Sequence, residues 1–255
     1  MLTTLNIHLE RWSAWAPGLE SENRWREWAE NPFELDKEVS YPKVKFLPPM
    51  MRRRLSEVGK MALHVAYDCH RDEQLRTVFA SRHGEANQTV SILKDIVSNQ
   101  PVSPTKFSLS VHNTSSGLYT ISSENTAPAT AIAARLDSFE MGFVEAHGCL
   151  ASKRESRVML VYVDAPLKPP FDVLVDYEPP FAGAFILSAG PTENPLLLTL
   201  QPREGEEVSS SVHCLSFMQF LLNDNPEPLQ FVTDRLKWTW SKPGSPSTSE
   251  PDGAR

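Results

Sequence analysis

The sequence is poor in cysteine and contains no long apolar run. Its three cysteines, Cys69, Cys149 and Cys214, lie far apart in 255 residues. This spacing excludes a disulfide framework and paired metal-ligand motifs as organising features, so we expect no metal site. No apolar stretch is long enough to span a bilayer. The first residues, "MLTTLNIHLERW", lack a basic region followed by an apolar core, so we expect no signal peptide and a cytoplasmic protein.

Positive charge is also in deficit. The formal net charge is -7, which gives no general attraction to phosphate backbones, and we therefore expect no nucleic-acid partner. One dense basic run, Arg52, Arg53 and Arg54 in "MMRRRLS", opens a helical pattern. A docking or inter-subunit role is the favoured interpretation of this run, and contact with phosphates is the alternative.

Strand and helix patterns alternate along most of the chain. "LNIHLERWSAW" alternates with the period of a strand, and "MRRRLSEVGKMALHVAYDCH" has the spacing of one long helix. Further strands are predicted at "LRTVFASR", "ATAIAAR", "VMLVYVDA", "FDVLVDYE", "FAGAFILSAG", "LLLTLQP" and "RLKWTWS", and further helices at "ENRWREWAE", "TVSILKDIVSN", "SFEMGFVEAHGCLAS" and "SVHCLSFMQFLLND". This order predicts an α/β fold with a mixed, mainly parallel sheet and helices on both faces.

The chain is rich enough in apolar residues, at 40%, to form one sizeable core. We assign residues 1–240 to one domain. Residues 241–255, "SKPGSPSTSEPDGAR", are rich in proline, serine and glycine and lack an apolar anchor. We therefore expect a disordered tail there.

The stretch "AIAARLDSFEMGF", residues 131–143, predicts a small-residue strand that turns sharply into a helix at Ser138. Many α/β enzymes expose their nucleophile on such a turn. The tip here is Leu136, which has no nucleophilic atom. Two interpretations of its neighbours Asp137 and Ser138 are open: they cap the following helix, or one of them is a relocated nucleophile or acid.

The segment "SPTKFSLSVHNTSSGLYTI" resembles the part of β-ketoacyl synthases that begins with Ser-Pro and ends in Asn-x-x-x-Gly. These marks fall on Ser103-Pro104, Asn113 and Gly117. Continued without a gap, the resemblance places the family's active-site cysteine at Leu136. It extends over roughly residues 5 to 202, which implies a thiolase-like half that stops before the C-terminal half of a ketosynthase.

Three motifs make this family resemblance more specific. "MMRRRLS", "VFASRHGE" and "SPTKFSLSVHN" together are similar to the short ketosynthase-like chain length factors of aryl polyene gene clusters. Condensation in the family needs a cysteine thiolate and two histidines from the C-terminal half. Neither has a counterpart here, so the resemblance implies a catalytically inactive subunit without a cofactor.

The resemblance implies a heterodimer with an active ketosynthase, working with acyl carrier protein in type II polyketide or fatty-acid-like biosynthesis. This chain would shape the partner's acyl tunnel, and "ATAIAAR" would pair across the interface. The tunnel and interface positions implied are Thr105, Phe107, Ser108, Leu109, His112, Asn113, Gly117, Ile132 and Ala134.

Other interpretations are open for the same residues. Phe107, Leu109 and Val111 alternate as core positions of a strand would, and His112 fits a hydrogen-bonded structural histidine. 

Ser138 or Cys149 could serve an acyltransferase or thioesterase acting on carrier-protein thioesters. Arg52 to Arg54 could make the chain a carrier-protein docking module. His213 and Cys214 are adjacent on a predicted helix and point about 100° apart, so we expect no productive pair. Half a ketosynthase would leave an apolar face open, and either "SVHCLSFMQFLL" or a partner is expected to cover it.

Overall fold

The fold comes from a computed structural model that describes residues 2–35, 39–69, 74–192, 195–209 and 213–243. The strands are β1 (Thr3–Trp15), β2 (Arg76–Ala80), β3 (Ala129–Ile132), β4 (Arg157–Asp164), β5 (Phe181–Ser188), β6 (Leu196–Pro202), β7 (Leu229–Val232) and β8 (Leu236–Ser241). The helices are α1 (Glu22–Glu30), α2 (Pro49–Arg52), α3 (Glu57–Cys69), α4 (Ala86–Val97), α5 (Pro104–Ser108), α6 (Thr114–Ser122), α7 (Ser138–Ala151) and α8 (His213–Leu222).

The described strands form one sheet in the order β3-β2-β4-β5-β1-β6-β8-β7. The predicted mixed sheet is confirmed, but the expectation that it is mainly parallel is wrong. Only β2 runs parallel to its neighbours, β3 and β4, whereas the other neighbouring pairs among the described strands are antiparallel. Hydrophobic periodicity does not report strand direction, and β4 and β5 pair directly as antiparallel neighbours.

Helices cover both faces of the sheet, as predicted. Alternate residues of β4 point to opposite faces, so Met159 and Val161 join one core while Val158 and Leu160 join the other. The first core contains the buried stripe of α3 and Tyr119 of α6. The second contains α7, α8 and the two buried tryptophans of α1. Because β4 and β5 are buried on both faces, they form the centre of the molecule.

The C-terminal segment extends the sheet beyond β1 through β6, β8 and β7. Its helix α8 packs on α7, with the ring centroid of Phe217 5.2 Å from Phe139 and 5.4 Å from Phe143. Trp240 of β8 closes the same cluster, 4.9 Å from Phe143. The expectation that "SVHCLSFMQFLL" covers an apolar face is therefore confirmed.

The predicted long helix over residues 51–70 is divided into α2 and α3. Proline at the first position of α2 fixes where that helix starts. A new helix then begins at Glu57, because the hydroxyl of Ser56 accepts a hydrogen bond of 2.9 Å from the amide of Gly59. This second start places Ser56 in a cleft beside α4.

The predicted strand at "FDVLVDYE" is wrong. The segment forms a 3₁₀ turn at Asp172–Leu174 within an irregular loop, and Val173 is 82% exposed. Because β4 and β5 pair with each other along their whole length, no place remains for a strand between them. Prolines at both ends of the loop also oppose ladder pairing. The short strand β7 was not predicted, because it has only four residues.

The predicted domain boundary at residue 241 is too early. Ser241 is the last residue of β8, and Nζ of Lys242 donates hydrogen bonds to the carbonyl oxygens of Leu221 and Asn223 at 3.1 and 2.5 Å. Residues 244–255 of the predicted tail lie outside the described residues. Among the described helices, none is both long and apolar enough to cross a membrane.

Candidate functional site at the turn before α7

The turn predicted between β3 and α7 is confirmed. The chain leaves β3 at Ile132, makes a 3₁₀ turn over Arg135–Asp137 and enters α7 at Ser138. Arg135 has a φ of +58°, a left-handed conformation that is costly for a residue with a Cβ. The turn thus keeps a strained backbone beside Leu136, although Leu136 offers no reactive atom.

Ser138 closes this turn. Its hydroxyl accepts a hydrogen bond of 2.9 Å from the amide of Ala134 and donates one of 2.7 Å to the carbonyl of Arg135. The side chain is buried, so its donor and one acceptor function are committed to the backbone. This arrangement stabilises the turn and does not favour Ser138 as a nucleophile.

Asp137 bonds to the C-terminal segment of the chain. The residue is fully buried, and its Oδ1 accepts a hydrogen bond of 2.8 Å from the indole of Trp238. Its Oδ2 lies 3.4 Å from Nη2 of Arg235. Since the side chain makes no bond to the first turn of α7, the capping interpretation is wrong for Asp137. The buried indole of β8 needs an acceptor, and this carboxylate supplies it.

A small cavity of about 110 Å³ lies beside Leu136. Phe139 and Tyr162 form part of its apolar wall, and His213 and Glu178 form part of its polar wall. A volume of this size holds a few water molecules or a very small group. It therefore leaves no room for a long acyl chain at this position.

His213 is bound to a buried acid at this cavity. Its Nδ1 lies 3.0 Å from Oε1 of Glu140, which is 0% exposed, and its ring stacks on Phe231 with centroids 4.1 Å apart. Burial lowers the pKa of His213, but the charge and hydrogen bond of Glu140 outweigh burial and raise it above its usual value. The pair joins α7 to α8. It was missed because its members are 73 residues apart, and an acid in a first helical turn is ordinarily explained by the helix dipole.

The cysteines near the site are not activated. Burial, followed by Glu178 and Asp164, raises the pKa of Cys214 well above its usual value. Burial and then Glu145 raise the pKa of Cys149. Both shifts favour the thiol over the nucleophilic thiolate. The prediction that His213 and Cys214 form no productive pair agrees with the bond from His213 to Glu140 and with the raised pKa of Cys214.

The motif "SRHG" forms a second loop beside the turn, and Asp164 holds this loop in place. Asp164 accepts hydrogen bonds from the hydroxyl of Ser81 at 2.9 Å, and from the amides of Arg82 and His83 at 2.6 and 2.9 Å. Nε2 of His112 donates a hydrogen bond of 3.0 Å to the carbonyl of Ser81. The structural interpretation of His112 is therefore the one that the contacts support.

Helix α5 carries the centre of the predicted tunnel segment. Phe107 is 67% and Val111 is 50% exposed, and Thr105 and Ser108 are also exposed. The alternative that Phe107, Leu109 and Val111 are alternating core positions is wrong, because residues 104–108 are helical and Phe107 and Val111 are exposed.

A lysine fastens α5 to α4. Nζ of Lys106 donates to the hydroxyl of Ser91 at 2.9 Å and to the carboxylate of Asp95 at 3.0 Å. Three apolar side chains of α4 are exposed on the surface as well. We call the exposed apolar residues of these helices and of the loop after α5 the α4–α5 surface: Leu93, Ile96, Val97, Phe107 and Val111.

The remaining predicted interface residues lie towards the β3 edge of the sheet. Asn113 precedes α6 and Gly117 lies within it, and α6 contacts both β2 and β3. Ile132 is the last residue of β3, and Ala134 lies in the turn. Among the described strands, β3 pairs only with β2, so its outer edge is open.

The family model described as β-ketoacyl synthase, N-terminal domain, matches residues 25–241. The chain belongs to this family. Its fold is accordingly the mixed α/β thiolase-like fold of ketosynthases. No curated protein sequence matches the chain.

Solved structures of ketosynthases have the same fold. A chain of the Xenorhabdus doucetiae complex between the ketosynthase ApeO and its chain length factor ApeC is 29% identical, with a TM-score of 0.81 over 93% of this chain and 99% of that chain. The ishigamide ketosynthase/chain length factor is 15% identical, with a TM-score of 0.62 over 78% and 67%. The ketosynthase of module 6 of the Bacillus subtilis 168 bacillaene synthase is 13% identical, with a TM-score of 0.54 over 72% and 37%.

The basic run of this ketosynthase-like chain lies at the end of α2. Arg53 and Arg54 are exposed, and Arg52 is partly buried. Lys43 and Lys45 precede them, and no acidic residue occurs between positions 42 and 56. The run is thus a local excess of positive charge on an acidic protein. Within the described part of the chain, no His, Cys, Asp and Glu side chains form a group of three that could hold a metal ion.

Proposed function

We propose that this chain is a non-catalytic chain length factor, which pairs with an active ketosynthase and shapes its acyl tunnel in type II polyketide or fatty-acid-like biosynthesis of the aryl polyene kind. The observation that carries the proposal is Leu136 on an otherwise retained nucleophile turn, with Arg135 still in the left-handed conformation. The similarity to a chain of the ApeO–ApeC complex supports it. That chain has nearly the length of this one, since the match covers almost all of both.

Chemistry at the turn supports an inactive subunit. Condensation needs a thiolate that takes the acyl chain and a base and donors that stabilise the enolate. Leu136 cannot supply the first, the hydroxyl of Ser138 is bound to the backbone, and His213 is bound to Glu140. The same contacts count against the acyltransferase or thioesterase alternative at Ser138.

Two features of the described surface suit a protein partner. The outer edge of β3 offers unpaired backbone groups to a strand of another chain. The α4–α5 surface offers large exposed apolar side chains, and Val97 is 83% exposed. A ketosynthase that covered both would place α5, with Thr105, Phe107 and Ser108, against itself. Any residue of this chain that lines the partner's acyl tunnel would have to lie on such a covered surface.

Co-expression with an active ketosynthase as the candidate partner tests the proposal. We expect a heterodimer on size-exclusion chromatography, and products whose chain length changes when Phe107 is replaced by Ala or Trp. Phe107→Asp and Val97→Asp should weaken the heterodimer. Val173→Asp is the matched control, since Val173 is equally exposed but lies on the loop between β4 and β5. A well-folded chain that alters neither the solubility nor the product length of the ketosynthase would refute the proposal.

The basic run favours a second, compatible role in docking an acyl carrier protein. Arg53 and Arg54 are exposed in a segment without acids, and a partner with acidic helices would be attracted to it at low salt. The variant Arg53→Glu with Arg54→Glu should raise the dissociation constant for carrier protein, more so at low than at high ionic strength. Lys153→Glu is the control. Unchanged binding would remove this role.

A further inference from the structure

A cleft between α3 and α4 lies apart from the turn described above. Its volume is about 440 Å³, four times that of the cavity beside Leu136. Ser56, Glu57 and Lys60 line one side, and Glu85, Gln88 and Lys94 line the other. This volume falls within the range of about 300–1,000 Å³ that small-molecule sites occupy.

Polar contacts hold the walls of the cleft in place. Nζ of Lys168, on the loop after β4, lies 2.8 Å from the carboxylate of Glu57 on α3. The side-chain amide of Asn87 on α4 donates a hydrogen bond of 2.9 Å to the carbonyl of Pro166. Nζ of Lys94 donates one of 2.7 Å to the carbonyl of Pro169. Three segments are therefore cross-linked around the opening, so the cleft exists before anything binds.

A buried acid forms the floor. Glu85 is 4% exposed, and its Oε1 accepts a hydrogen bond of 2.7 Å from the hydroxyl of Ser56. The other oxygen, Oε2, has no hydrogen-bond partner among the described residues. Burial raises the pKa of Glu85 to about 7, against a smaller opposing effect of the Ser56 hydrogen bond. Near neutral pH a large part of this carboxyl therefore keeps its proton and can donate a hydrogen bond from Oε2.

Lysines are the most numerous charged residues at the rim of the cleft. Lys168 forms an ion pair with Glu57, whereas Nζ of Lys94 donates only to a backbone carbonyl. The side-chain Nζ of Lys60 has no ion-pair or hydrogen-bond partner in the described part of the chain. The ionisable groups that line the cleft with Glu85 are Lys94 on the same side and Glu57, Lys60 and Lys168 on the other segments. With Glu85 neutral, the cleft carries net positive charge, and the N-terminus of α4 adds to it.

We propose that this cleft binds a small organic anion, a phosphate or carboxylate, whose charge faces Lys60 and Lys94 while Glu85 donates a hydrogen bond to it from the floor. A neutral acid beneath two cations complements an anion, and an ionised Glu85 would repel it. The anion and the Glu85 proton therefore bind together. The site lies outside the turn before α7 and depends neither on ketosynthase pairing nor on the proposed function.

Calorimetric titration of the full chain with sulfate tests the coupling, because sulfate keeps its charge across the pH range used. Chloride holds the ionic strength constant. We expect binding to be about tenfold weaker at pH 8 than at pH 6, because the protonated fraction of a group with a pKa of about 7 falls by that factor. At pH 6.5, glycerol 3-phosphate and succinate should bind and glycerol should not.

Three variants separate the site from general surface charge. Glu85→Gln keeps a donor but cannot titrate, so sulfate binding should be equal at pH 6 and pH 8. Lys60→Ala should weaken binding about tenfold, the usual effect of one lost charge-assisted hydrogen bond. Lys43→Ala is the control, because Lys43 is exposed and does not line this cleft.

Two results would overturn the proposal. The first is that the folded wild-type chain binds none of sulfate, glycerol 3-phosphate and succinate. A loss in Lys43→Ala as large as that in Lys60→Ala would show attraction by the surface alone. If Glu85→Gln does not fold, as checked by circular dichroism, the Lys60 and Lys43 pair and the wild-type pH dependence still decide the matter.

Discussion

The indole nitrogen of Trp238 donates a hydrogen bond of 2.8 Å to the carboxylate of Asp137, 101 residues earlier in the chain. Both residues are fully buried. The bond joins β8, the last strand of the described residues, to the turn before α7. The C-terminal extension of the sheet is thus attached directly to the candidate site.

Replacement of Asp137 by Ala should lower the free energy of unfolding by about 2–4 kcal/mol, because it leaves the Trp238 indole buried without an acceptor. Asp137→Asn keeps an acceptor oxygen and should cost less. Denaturant unfolding measures both. A double-mutant cycle with Trp238→Phe should show a coupling of about 1 kcal/mol or more. Additive effects would mean that the bond contributes nothing beyond packing.

His213 should make stability depend on pH. Its pKa is raised in the folded chain, because Glu140 outweighs the effect of burial. The stabilisation is therefore fully present below the unfolded-state pKa of His213 and is lost as pH rises through the higher folded value. The free energy of unfolding, measured from pH 5 to 9, should fall in this window for the wild type and less for His213→Gln. Identical pH profiles would exclude the ion pair as the cause.

The positive φ of Arg135 can be tested by the stabilities of a series of substitutions. Arg135→Gly should be close to neutral, since the strain of about 1–2 kcal/mol that it relieves is offset by lost chain entropy and a lost exposed ion pair with Asp234. Arg135→Val should be the least stable of the series, because a β-branched residue tolerates a positive φ poorly. Arg135→Ala lies between them. Thermal melts that rank Val above Gly would contradict the assigned backbone conformation.

Restoring a thiol at the tip should not restore activity. We expect Leu136→Cys to fold and to show no condensation of acyl and malonyl thioesters. A lone cysteine beside a 110 Å³ cavity has neither room for a long acyl chain nor a free histidine beside it. Product analysis by mass spectrometry, with an active ketosynthase as a positive control, measures this. Multiple turnovers by the variant alone would refute the inactive-subunit proposal.

Position 84 is predicted to tolerate no side chain, not even the methyl group of alanine. Its φ is +51°, and a Cβ there would lie 2.7 Å from Cδ2 of His112. Gly84→Ala should therefore destabilise the chain by about 1–3 kcal/mol. Adding His112→Ala removes the collision but not the strain, so it should recover only part of the loss. Full recovery in urea unfolding would show that strain is negligible here.

Local patterns predicted the elements that have regular periodicity. The strand β1, the helices α1, α4, α7 and α8, and the turn at Arg135 all follow from alternation, helical spacing and small residues. Helical spacing alone did not reveal the break between α2 and α3, because the apolar pattern of residues 55–66 starts before the first residue of α3.

Contacts between distant segments could not be predicted. The bond from Trp238 to Asp137 depends on which strand lies beside β6, and sequence periodicity does not report this. The same is true of His213 and Glu140. Helix capping was a sound local expectation for Asp137, but a buried indole without an acceptor is more costly than an uncapped helix end. The predicted tunnel role of α5 depends on a partner's surface, which the sequence of this chain does not contain.

The attachment of the C-terminal extension has a consequence for folding cooperativity. Asp137, Glu140 and the aromatic cluster of α7 all bond or pack with residues of β8 and α8. The C-terminal extension is therefore not separable from the rest of the sheet, and both should open together as one unit in native-state hydrogen exchange.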